Sequence, residues 1–175
     1  MDAFFTNRFL SELNYFTNRK GITLFSPADN EDILAAEKTL GCRLSPQMKR
    51  FLTQFNGGRI IEITINGVQL LGLRKIHKGF DIVESNRVLR TFSGWNQNWL
   101  EIGEDGFGNY YIVDVNRILE NGEYPVLFVD HEAIGEDEAT MEYAEGYFEF
   151  VLKAIGEMKQ LYTPSGDLID LSSEC

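Results

Sequence analysis

Residues 99–115, WLEIGEDGFGNYYIVDV, constrain the fold more than any other stretch of the chain. They read as strand, tight turn, strand. Trp99, Leu100 and Ile102 form an apolar lead-in, and residues 110–115 are a β-rich run. Gly103, Gly106 and Gly108 fall where a chain reversal needs positive φ or a missing Cβ.

Helical patterns precede this hairpin. Residues 3–18 set Phe5, Phe9, Leu13 and Phe16 near helical spacing, and Gly21 can close the end. Ser26-Pro27 predicts a second helix start, with Asp29 at the capping-box position and Ile33, Ala36 and Leu40 as the buried stripe before Gly41. Ser45-Pro46 repeats the signal. Met48, Phe51, Leu52 and Phe55 supply the apolar face there, and Asn56-Gly57-Gly58 stops the helix. Ile61, Ile63 and Ile65 alternate with Glu62 and Thr64, as a half-buried strand does. Asn66-Gly67 predicts a type I′ turn returning through residues 68–73. Residues 80–92 fit a helix. Beyond the central hairpin, residues 124–130 read as a strand and 131–139 as an acidic loop. A long helix is expected over about 140–162, stopped by Thr163-Pro164, and the polar tail 165–175 is expected to fray.

Charge is distributed unevenly. Residues 1–90 carry 13 Lys/Arg and 9 Asp/Glu, whereas residues 91–175 carry 3 and 18, a net of −15. Arg117 is the only Lys or Arg between Arg90 and Lys153. Such a surface repels phosphates and favours a basic partner, so nucleic acid is not expected to bind. In the expected last helix, Met141, Ala144, Phe148, Val151, Ile155 and Met158 form the buried face. Glu138, Glu142, Glu145 and Glu149 form an acidic stripe beside it, next to Glu136 and Asp137. Like charges at i,i+4 repel. With no Lys or Arg to relieve them, the stripe reads either as a solvated face or as a docking surface for a cationic partner.

Catalytic and metal motifs are weak. Asp105-Gly106-Phe107-Gly108-Asn109 has oxygen ligands at alternate positions, but flanking strands favour turn chemistry over a calcium loop. Asp130-His131-Glu132 alternates across a strand, which separates its side chains unless the strand ends at Asp130. Cys42 follows a helix C-terminus, where nothing depresses a thiol pKa. Trp95 and Trp99 read as core or cleft-wall residues. No catalytic residue, metal or cofactor is expected. One domain spanning 1–175 is expected, cytoplasmic and with no membrane span.

Three features together resemble the SUKH superfamily, which includes the Smi/Knr-type cell-wall-assembly regulators. They are Glu37-Lys38-Thr39-Leu40-Gly41 followed by Leu44-Ser45-Pro46 and Phe51-Leu52; the exit Phe55-Asn56-Gly57-Gly58; and Trp99 with Ile102-Gly103, Asp105-Gly106-x-Gly108-Asn109 and Tyr111-Ile112-Val113-Asp114. The resemblance covers roughly residues 26–155. It leaves out the first helix and the tail, and Asn109 stands where an acid is usual. It implies an α+β fold, with a mostly antiparallel central sheet and helices packed mainly on one side. The helix and strand order agrees independently. The resemblance further implies a non-catalytic interaction module. Bacterial members resemble immunity proteins that neutralise toxins, and fungal members resemble signalling scaffolds. The expectation is a bacterial immunity protein that binds a basic, nuclease-type toxin through Glu136, Asp137, Glu138, Glu142, Glu145 and Glu149, with Trp95 and Trp99 as the secondary surface. The alternatives are a signalling or assembly scaffold, or a ligand binder or enzyme using a cleft near Trp99.

Overall fold

Among the described residues, seven strands form one sheet whose order follows the chain, and each neighbouring pair is antiparallel. The computed structural model describes residues 3–17, 20–67, 81–136 and 139–170. The first helix, α1, spans Ala3–Leu13 and buries Phe5, Phe9 and Leu13. It stops earlier than residue 18. The amides of Tyr15 and Phe16 reach back only three residues, to Glu12 and Leu13, so the last turn tightens and the chain leaves the helix. Phe16 is buried all the same. Strand β1, Ile22–Leu24, follows.

Helix α2 is Asn30–Leu40. Its cap is Asp29, whose carboxylate accepts from the Asp32 amide at 2.8 Å, and not Ser26. Ala28 donates its amide to the Leu52 carbonyl, which holds the preceding residues out of the helix. Gly41 closes α2 in the left-handed region, at φ 73°. Helix α3, Pro46–Leu52, starts as expected, with Ser45 as cap.

The next reversal differs from the sequence reading. Strand β2 is Gly58–Ile60 and β3 is Ile63–Ile65, joined by Ile61 and Glu62. Ile61 adopts φ 57°, rare for a β-branched residue. Its neighbours hold it there. Its amide donates to the Gly21 carbonyl at 3.0 Å, and its carbonyl accepts from Arg59 Nε at 2.6 Å. Asn66-Gly67 does not turn the chain back along β3, because β2 and β4 already occupy both of that strand's edges. Gly67 instead bridges Asp81 in parallel. Residues 68–73, the expected return, lie outside the described residues.

Helix α4, Ile82–Leu89, is shorter than 80–92 and is capped by Asp81. The central hairpin is present, as β4 (Trp99–Glu104) and β5 (Tyr110–Asp114). Strand β6 is Val126–Val129, and a 3-10 turn follows at His131–Ala133.

The expected helix over 140–162 is two elements. Thr140–Ala144 is β7, the outer strand beside β6, and α5 runs Tyr147–Leu161. Met141 is therefore 60% exposed and not buried. Between them, Gly146 is extended and buried beside Gln47, and the helix begins only after it. Residues 163–170 fold back, with the Thr17 amide donating to the Pro164 carbonyl and Ile169 to Leu161.

The sheet sorts its side chains by face. Tyr111, Val113 and Val126 join the main core with α1, α2, α3 and α5. Ile112, Leu127 and Val129 face the other way, with Leu89 of α4 and Trp95. The fold is α+β, with most helical packing on one side.

Candidate partner-binding surface

The corner where β7 meets α5 holds a surface concavity of about 450 Å3. Glu142, Glu145 and Glu149 line it, together with Arg117, Leu119 and Tyr143. Strand, turn and helix each contribute one carboxylate. Their spacing in the sequence fits one helical face. The fold instead brings them together by reversing the chain at Glu145 and Gly146.

Two of the neighbours change the electrostatic reading. Arg117 Nη2 lies 2.6 Å from Glu142 Oε1, so one cation does offset the acids. Both partners are well exposed, and pairs of that kind contribute little to stability. Glu149 Oε2 accepts from the Glu145 amide at 2.8 Å, and Gln47 Oε1 accepts from the Phe148 amide at 2.8 Å. These bonds supply the caps that Gly146, lacking a side chain, cannot. Glu149 thus has a structural task as well as a place in the concavity. Lys153 reaches the Tyr143 carbonyl at 3.0 Å and lies 4.1 Å from its ring centre. Sequence reasoning missed Arg117 as a lining residue, although its isolation in the acidic half was the available signal.

The remaining expected residues fall elsewhere. Glu136 is exposed beyond the 3-10 turn. Asp137 and Glu138 lie outside the described residues. Trp95 and Trp99 meet edge to face at 5.4 Å in the satellite core, where Trp95 also packs on Tyr110. Neither lines the acidic concavity. Trp95 is buried, and its indole N–H finds no acceptor among the described residues.

The candidate metal residues have local partners. Asp105 Oδ1 accepts from the amides of Phe107 and Asn109, both at 2.9 Å, which is turn chemistry. Asp130 leaves the strand and caps the 3-10 turn through the Glu132 amide, so the strict alternation of faces expected for 130–132 does not apply. His131 Nδ1 meets Asn109 Oδ1 at 2.9 Å. Among the described residues, no three His, Cys, Asp or Glu side chains gather as a metal site. The Cys42 thiol is raised, first by burial.

One buried polar cluster had no sequence signal. The Glu101 side chain, on β4, accepts from Ser85 Oγ at 2.6 Å and from the Asn66 side-chain Nδ2. Burial pushes its pKa up to about 7. Beside it, the Asn86 side chain bonds both the amide and the carbonyl of Glu101, each at 2.8 Å. The carboxamide thereby replaces a strand partner where β3 has ended. This cluster ties α4 to the sheet.

Among the described residues, no helix is long and apolar enough to cross a membrane. A sequence model of the SMI1 / KNR4 family (SUKH-1) matches residues 27–153 of the chain. No curated protein matches it.

Proposed function

From the chain's membership of the SMI1/KNR4 family (SUKH-1), whose members are generally non-catalytic immunity or regulatory proteins, we propose that it is a cytoplasmic bacterial immunity protein that binds and neutralises a basic protein toxin. The observation that carries this reading is the acidic concavity. Three carboxylates from three different elements converge beside one guanidinium, in a half of the chain with a net charge of −15. A basic nuclease-type domain is the partner such a field attracts. Charge at the rim steers encounter and sets the association rate more than the dissociation rate. The exposed strand β7, with Glu142 on it, gives the partner a rigid edge to approach. Occupying the toxin's substrate site would neutralise it without any chemistry by this chain.

The test is the association rate of the Glu142→Lys, Glu145→Lys double variant with the cognate toxin, at low and moderate salt. The expected result is a drop of about tenfold or more at low salt, narrowing as salt screens the field. An unchanged rate at both salt levels overturns the assignment of this surface. The gene neighbourhood tests the role itself: a large secreted toxin encoded alongside supports immunity, and its absence favours an intracellular scaffold.

A further inference from the structure

A second groove, of about 360 Å3, lies between the C-terminal half of α5, the β4–β5 turn and the segment after α5. It shares no lining residue with the acidic concavity. We propose that it binds a protein segment bearing one large apolar side chain between lysines or arginines.

The floor is the buried trio Ile63, Tyr111 and Met158. The lips are apolar and exposed: Phe107 is 78% and Leu168 69% accessible. The fold does not need an aromatic at position 107. The turn is closed by Asp105, Gly108 and Asn109, and Phe107 contributes only its amide to the Asp105 carboxylate. Its ring stands in solvent at the tip of a hydrogen-bonded turn. Leu168 is also held in place, by its bridge to Tyr162 and by the neighbouring bond from the Ile169 amide to the Leu161 carbonyl at 2.8 Å. Two apolar side chains on hydrogen-bonded backbone, flanking an apolar floor, are partly preorganised for a ligand, because no backbone freedom need be lost there on binding.

Charge selects the occupant. Glu62, Asp105 and Glu157 line the groove, and among the described residues no Lys or Arg does. Arg59 stands 3.7 Å from Glu62 Oε2 and is tied to the Ile61 carbonyl. The field reaches the floor: burial raises the Tyr111 hydroxyl most, and the charges of Glu157 and Asp105 add to it. A neutral apolar ligand would use the floor and waste the rim. A second copy of a chain with net charge −11 would be repelled. The residues after Asp170, LSSEC, bring another carboxylate and no cation.

The probe is a capped pentapeptide with phenylalanine between two lysines on each side. It is titrated into the full chain carrying labelled Ile, Leu and Met methyl groups. The expected result is saturable shifts at Ile63, Met158, Leu161 and Leu168. Affinity should fall at least about tenfold when glutamates replace the lysines, when glycine replaces the phenylalanine, or in a Phe107→Ser, Leu168→Ser variant of unchanged melting temperature. Glu157→Gln should weaken the lysine peptide and leave a serine-flanked one unaffected. No saturable shift at these methyls, equal shifts with the glutamate peptide, or shifts confined to Leu119 in the acidic concavity would overturn the proposal. So would groove shifts that track protein concentration alongside dimer formation in sedimentation, since they would make a second copy the occupant. An empty groove leaves toxin binding at the concavity untouched, because the two share no lining residue.

Discussion

Replacing Glu101 with glutamine isolates the energetics of one buried carboxyl. The residue is 1% exposed, between β4 and α4. Burial lifts its pKa from the ordinary 4.5 to about 7; the Ser85 and Asn66 hydrogen bonds oppose the rise and Glu104 adds to it. In the unfolded chain the group ionises near 4.5. Between that pH and about 7, the unfolded state has released a proton that the folded state still holds. Stability must therefore fall as pH rises through this window, opposite in sign to a salt-bridged carboxylate. A pKa difference of about 2.5, at roughly 1.4 kcal/mol for each unit, amounts to about 3 kcal/mol. Glutamine keeps the shape and an acceptor oxygen but cannot titrate. Carboxylates that do not couple to Glu101 titrate alike in both proteins and cancel in the difference; Glu104, which does couple to it, is the exception. Urea denaturation of parent and variant from about pH 4 to about pH 8 measures that difference directly. The parent's stability relative to the variant should fall by about 3 kcal/mol and level off above the folded pKa. A difference that stays flat across the range refutes the argument that burial governs this group.

The central hairpin makes three glycines unequal. Gly108, at φ 91°, should lose about 1 kcal/mol or more as alanine. Gly106→Ala should cost less, since its new Cβ meets only the Glu62 side chain: the carboxylate at 2.5 Å, which can swing away, and the Cβ at 3.2 Å, which must give slightly. Gly103→Ala should cost most, because its Cβ would sit 2.3 Å from the Thr64 carbonyl oxygen and push β3 from β4. Melting temperatures of the three variants give the ranking. Phe9→Ala, in the aromatic cluster with Phe5, Phe51 and Phe55, should destabilise by about 3–5 kcal/mol in the same assay. Arg117→Ala should change stability by less than about 1 kcal/mol, yet speed association with a basic partner at low salt, because it removes the one guanidinium lining the concavity.

The parts of the fold that local chemistry determines were legible in the sequence. Ser45-Pro46 and Gly41 set helix ends where expected, because a cap hydroxyl and a left-handed glycine act over three or four residues. Asp105-Gly106-x-Gly108-Asn109 closes its turn with its own side chains. The misreadings share a different cause. Asn66-Gly67 carries a stronger local turn signal than Ile61-Glu62, yet the chain reverses at Ile61. The Gly21 carbonyl that holds the Ile61 amide is forty positions away, and Asn66 is engaged by Glu101 across the sheet. Residues 140–144 fit a helix until the edge of β6 is available to pair with them. Glu101 was invisible for the same reason: Ser85, Asn66 and Asn86 reach it from two other elements.

The acidic concavity shows how a wrong local structure can still gather three of the same residues. Positions 142, 145 and 149 step by three and four, which on a helix makes a stripe. The same spacing straddles a corner at Glu145 and Gly146, and folding about that corner brings residue 142 of β7 toward residue 149 of α5. The repulsion argument does not survive the change, since the carboxylates no longer stack on successive turns of one helix. What replaces it is a division of labour. Glu149 serves the helix start through its bond to the Glu145 amide, so its acidity has a structural reason. Glu142 makes only an exposed pair with Arg117, and the bond to Glu149 uses the backbone of Glu145 and not its carboxylate. The fold thus places no comparable demand on these two acids. Reversing their charge leaves the Gln47 and Glu149 caps intact, so any loss of partner binding in that double variant reports on the surface charge and not on the corner that presents it.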